Sequence, residues 1–158
     1  MSEFKESIKK KGYWNYNDLY AFCYEWFKDR DYLLLEKKYI EKKSDFGQEI
    51  ILSWLATKRI DSYFKIAIKL DWHILGMNSA EIEINGEKEK TNKGEVKIKV
   101  DGSLVKDYEK RWDSSSLMKP LKKIYEKYVI RLNIEEYEDL VIDDCVEFVG
   151  DLKSFLQI

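Results

Sequence analysis

Between residues 64 and 75 the chain reads FKIAIKLDWHIL, and its side chains sort into two sets with a period of two. Ile66, Ile68, Leu70, Trp72 and Ile74 take one side, while Lys65, Lys69, Asp71 and His73 take the other. Only an extended strand places alternate residues on opposite faces, so this stretch predicts a strand with one buried and one wet face. Such half-wet alternation belongs to antiparallel sheets, because parallel sheets bury both faces. The same period returns in Ile50, Leu52, Trp54 and Ala56, and in Val96, Ile98 and Val100 around Lys97 and Lys99. Turn chemistry interrupts it at SDFGQ and NGEKEKTNKG, where Asn85-Gly86 suits either a strand end or a two-residue hairpin. About five strands between Leu33 and Val105 are expected.

On either side of that region the period becomes helical. Leu19, Phe22, Cys23, Trp26 and Phe27 form one apolar stripe, which predicts a helix from about Asn17 to Arg30. Leu117, Leu121, Ile124, Tyr125, Tyr128 and Leu132 form a second stripe, with Pro120 tolerated in its first turn. Tyr137, Val141, Cys145, Phe148, Leu152 and Phe155 form a third, from about Glu135. The fold class predicted is α+β: an N-terminal helix, an antiparallel sheet of about five strands, and two C-terminal helices packed on one sheet face.

No Gly/Ser-rich or Pro-rich linker divides the chain, so residues 1–158 are expected to form a single domain, with 1–14 a flexible tail. Hydrophobic residues make up 44% and aromatic residues 15%, enough for a core despite 37% charged residues. The N-terminus has no apolar signal region, and the longest uncharged stretches fall well short of the roughly 20 residues of a membrane helix. Cys23 and Cys145 have no metal-like spacing and read as reduced, buried thiols. A cytoplasmic chain without a membrane span is the expectation.

Motifs for chemistry are sparse. His73 is the only histidine and alternates with apolar residues on a strand, which suits a surface position better than a base or ligand. No phosphate-binding glycine loop or nucleophile motif appears. Asp143 and Asp144 are neighbours and stand about 100° apart on a helix, so they do not face each other as an acid/base pair. An enzyme with a carboxylate site is the least supported class, and neither a cofactor nor a metal is expected.

Charge placement is more informative. Residues 134–158 hold eight carboxylates and one base, Lys153, for a net of −7, which leaves +5 on the rest of a chain of net −2. Lys119, Lys123, Lys127 and Arg131 are spaced by four, as are Glu135, Asp139, Asp143, Glu147 and Asp151. Like charges at this spacing repel along a helix, so neither ridge helps its own helix. Facing each other, the ridges make an internal ion-pair ladder; facing outward, they make charged edges for self-association or separate partners. A second cationic set, Lys65, Lys69, Lys97 and Lys99, lies on the wet side of the sheet, where it suits a nucleic-acid backbone. Interleaved glutamates, Glu81 to Glu95, make a mixed, solubilising surface the plainer reading. Tyr108 and Trp112 in DYEKRW are four apart where the strands give way to helices. They suit a hinge pinned at the core edge, with a stacking platform as the alternative.

The stretches LYAFCYEWF, EKKYIEKK, YFKIAIKL, EIEINGEK, DYEKRW, IYEKYVI, DDCVEF and LKSFL, in that order, resemble a family of small uncharacterised archaeal proteins. The resemblance implies a cytosolic protein and brings no activity to any residue. The function expected is that of a non-catalytic binding or assembly protein acting through charged helix edges or the sheet face. A protein partner or self-association leads, and a nucleic-acid or ribonucleoprotein-associated module is the alternative.

Overall fold

The computed structural model describes residues 2–106, 120 and 131–158. The fold is α+β, built on a five-stranded antiparallel sheet with two helices among the described residues. In chain order these are β1 (Phe4–Trp14), α1 (Tyr16–Asp29), β2 (Leu33–Ser44), β3 (Gly47–Arg59), β4 (Phe64–Ile84), β5 (Glu87–Lys106) and α2 (Arg131–Leu156). The sheet order is β1-β5-β4-β3-β2, so four strands form a meander and the first strand returns to pair with the last.

Two sequence expectations need correction. Residues 4–14 are no tail: β1 pairs with β5 from Phe4 opposite Gly102 to Trp14 opposite Asn92. A strand therefore precedes the first helix. Its inward positions include Glu6 and Lys10, which hid the alternation around Ile8 and Trp14. Both charges are answered by α2: Lys153 Nζ lies 3.2 Å from Glu6, and Lys10 Nζ donates to the Leu156 carbonyl at 2.5 Å. Asn85 and Gly86, both at positive φ (53° and 81°), close the β4–β5 hairpin in two residues, the geometry of a type I′ turn. The apolar stripe from Leu117 to Tyr128 falls outside the described residues.

Helix α1 starts where Asn15 caps it, its side-chain oxygen accepting from the Asp18 amide at 2.9 Å. Its buried face is Leu19, Cys23, Trp26 and Phe27, four of the five residues in the predicted stripe; the fifth, Phe22, is half-buried. Helix α2 buries Val141, Cys145, Phe148, Val149, Leu152 and Leu156. Both helices cover the same face of the sheet. Tyr20 of α1 meets Trp54 edge to face at 4.9 Å, and α2 lies over Gly102 of β5. Between the helices, Phe148 packs on Trp26 and Phe27 at 5.0 and 4.8 Å, and Phe155 stacks on Phe22 at 4.6 Å. Trp54 and Trp72, 1% exposed each, anchor the sheet side of this core. Burial of a large apolar side chain contributes about 1.5–3 kcal/mol.

Beyond Met77 the β4–β5 hairpin outruns its neighbours. Residues 78–84 pair only with β5, and β1 pairs with nothing past Asn92, so a two-stranded ribbon projects from the sheet. Glu81 stands opposite Lys90 and Glu83 opposite Lys88 along it.

Candidate binding face

With both described helices on one side, the opposite face of the sheet is open, and it carries a group of exposed lysines. Strand alternation and register place Lys65 and Lys69 of β4 beside Lys97 and Lys99 of β5 on this face. All four sequence candidates therefore share one surface. Lys69, Lys97 and Lys99 are exposed, and Lys65 is half-buried. Lys5, Lys9 and Lys11 of β1, opposite Asp101, Lys97 and Glu95, extend the face to one edge, and Lys38 of β2 extends it to the other.

The carboxylates on this face are mostly engaged. Glu95 lies 3.0 Å from Lys9 and 3.8 Å from Lys11. The hydrogen bond from Lys9 holds its carboxyl below the usual range. Asp71 accepts from the Ser53 hydroxyl at 3.0 Å, and Glu49 lies 3.3 Å from His73 Nε2. Glu81 and Glu83 face the ribbon lysines instead. Among the described residues, Lys69, Lys97 and Lys99 are left without an ion-pair partner. A shallow depression of about 480 Å³ lies beside Lys97 and Lys99, with Lys38, Ile51, Ser53, Asp71 and His73 also in its lining.

Sequence reasoning missed the aliphatic component of this face. Leu35 stands directly opposite Leu55, and Ile40 opposite Ile51. Leu33 and Leu35 are 63% and 43% exposed. The signal was present in IILSWLAT: once Leu52, Trp54 and Ala56 point inward, Ile51 and Leu55 must point out.

The acidic ridge divides. Glu147 pairs with Arg30, the residue that follows α1, at 2.8 Å, and Asp151 accepts from Trp26 Nε1 at 2.8 Å. Arg30 also lies over the Trp26 ring at 3.8 Å. The lower half of the ridge is thus a latch between the two helices. Glu135, Asp139 and Asp143 are exposed and, among the described residues, unpaired. Arg131 opens α2, while Lys119, Lys123, Lys127, Tyr108 and Trp112 lie outside the described residues.

A polar aromatic cluster sits under α1. Trp54 Nε1 and the Tyr20 hydroxyl both donate to one oxygen of Glu36, at 3.1 Å each. Burial, with Glu36 alongside, pushes the Tyr20 phenol up to about 12. Among the described residues, Trp72 Nε1 is buried without a hydrogen-bond partner. Among the described residues no group of three or more His, Cys, Asp or Glu could hold a metal ion. No described helix is long and apolar enough to cross a membrane. The chain matches no protein-family model, no curated protein and no solved structure.

Proposed function

We propose that this chain is a non-catalytic binding or assembly protein that holds an anionic partner on its open sheet face. The observation that supports the reading is the segregation of unpaired charge. Lys69, Lys97 and Lys99 project from one side of the sheet, while the acidic helix α2 covers the other. Unpaired lysines gathered on one face attract anions, and adjacent aliphatic pairs add contact area once water is displaced. The sheet face thus carries the role in preference to the helix edges, two of whose five ridge carboxylates are taken up by Trp26 and Arg30.

The second reading, a nucleic-acid-associated module, rests on an oblique row of lysines, Lys9, Lys97, Lys99 and Lys69, running from β1 across β5 to β4. Such a row can follow a phosphate backbone. Tyr13, beside Lys93 and 48% exposed, offers one ring for stacking.

The test is retention on immobilised heparin at low salt, comparing wild type with K69E/K97E/K99E. Wild type should be retained and released by salt, and the variant should pass through with an unchanged circular dichroism spectrum. A folded variant retained as strongly as wild type overturns the sheet-face reading.

A further inference from the structure

The opposite side of the molecule carries the chemistry that the open sheet face lacks. Val141, Cys145, Phe148 and Leu152 of α2 point into the core, so the reverse arc of the helix points directly away from the sheet. On that arc Glu136, Asp139 and Asp143 are exposed, and among the described residues no cation pairs with them. Two aliphatic side chains stand among them, Leu140 at 42% and Val146 at 54% exposure. The arc is therefore acidic with an aliphatic element, while the sheet face is basic with one of its own in Leu35 and Leu55. Each unpaired surface offers the sign the other needs, and an aliphatic patch against which the other can exclude water.

We infer that the partner of the open sheet face is a second copy of this chain, docked through the exposed acidic arc of its α2 helix. The inference rests on the proposed role of the sheet face and names its occupant. The two surfaces lie on opposite sides of one layered molecule, so a pair of copies cannot satisfy both at once. Contact is heterologous: one copy presents its sheet, the next its helix, and each added copy leaves one sheet face and one helix arc unfilled. Head-to-tail stacks of no fixed size result. Their contacts are largely between exposed charges, so they loosen as salt shortens the Debye length.

A mixing experiment on the full, nuclease-treated chain tests this. Light scattering on wild type at low salt should give an average mass that climbs with concentration past twice the 19.0 kDa of one chain, returning to one chain at high salt. K69Q/K97Q/K99Q keeps the helix arc and loses the charge of the sheet face; D139N/D143N keeps the sheet face and loses the charge of the arc. Each alone should stay at one chain mass with a wild-type circular dichroism spectrum. Mixed in equal amounts, they should form a species of two chains and nothing larger, because each supplies the surface the other lacks. Wild-type stacks that persist in either variant, or variants that stay apart when mixed while wild type stacks, overturn the inference. Fluorescence anisotropy with fluorescein-labelled oligo-dT separates the two levels of the argument. Wild type that stays monomeric yet binds the oligonucleotide through the three lysines removes the second copy and leaves the sheet-face reading standing. Wild type that neither stacks nor binds removes both.

Discussion

Gly102 of β5 lies directly beneath Cys145 of α2, with no room between them for a methyl group. A side chain at 102 would press on Cys145 Sγ and come within 3.1 Å of Val141 Cγ1. Both partners are fully buried, so neither can swing aside. The glycine is what lets the C-terminal helix settle onto the sheet.

Gly102→Ala should therefore destabilise the fold by about 1–3 kcal/mol, the usual cost of overpacking a dense core. Urea unfolding measures it. Adding Cys145→Ala should recover part of the loss, since the sulfur is the nearer obstacle. An alanine at 102 that costs nothing in the wild-type background would show that α2 does not sit as described.

The helix latch should weigh its two carboxylates differently. Asp151 takes the indole N–H of nearly buried Trp26, whereas Glu147 makes an exposed ion pair with Arg30. Asp151→Ala should cost about 1–2 kcal/mol by stranding that donor. Glu147→Ala should cost less than about 1 kcal/mol, as exposed pairs generally do. Equal costs in thermal or urea unfolding would contradict this geometry.

Trp54 and Trp72 form a natural comparison, since they are equally buried and pack on each other at 5.0 Å. Only Trp54 has a hydrogen-bond acceptor, Glu36. Replacing each with Phe opens similar space, but Trp54→Phe also breaks a bond while Trp72→Phe deletes an unsatisfied donor. Trp54→Phe should be the more destabilising by about 1 kcal/mol or more. The reverse order in urea midpoints would mean that Trp72 has an acceptor after all.

Alkaline pH should unfold the chain through its buried phenols and thiols. Burial and the hydrogen bond to Asp144 raise the Tyr32 phenol well above its ordinary value, and burial pushes the Cys145 thiol up to about 12. In an unfolded chain a thiol ionises near pH 8.5 and a phenol near pH 10, so above those values the unfolded state releases protons that the folded state keeps. Stability is thus intact below about pH 8.5, and is lost as pH rises toward the folded values. Urea midpoints should fall from about pH 8.5 and more steeply above about pH 10. Tyr32→Phe should flatten the steeper limb. An unchanged limb in that variant would exclude Tyr32 as a contributor.

The strands and helices with uniform inward faces were legible in the sequence. Ile66 to Ile74 alternate without a break, and Leu19 to Phe27 keep a helical spacing, so local periodicity alone defines both. β1 was not legible, because its inward positions Glu6 and Lys10 are polar. They tolerate the core edge only because Lys153 and the Leu156 carbonyl meet them there, and those partners lie at the far end of the chain. Lys65, Lys69, Lys97 and Lys99 could be assigned to one surface before any register was known, since each alternates with buried neighbours. Their separation from Glu81 and Glu83 could not, because it depends on which strands run on into the ribbon. The engagement of Glu147 and Asp151 by Arg30 and Trp26 was likewise invisible: spacing along one helix does not say which other helix lies beside it.

The layering of charge also sets unlike charges on opposite sides of the sheet among the described residues of a chain whose net charge is only −2. Among the described residues, ammonium groups without an ion-pair partner stand on one side of the sheet, and carboxylates without one stand on the far side of α2. In the field of a charged surface such a body turns before it touches. The expected orientation is strands toward an anionic surface and helix toward a cationic one.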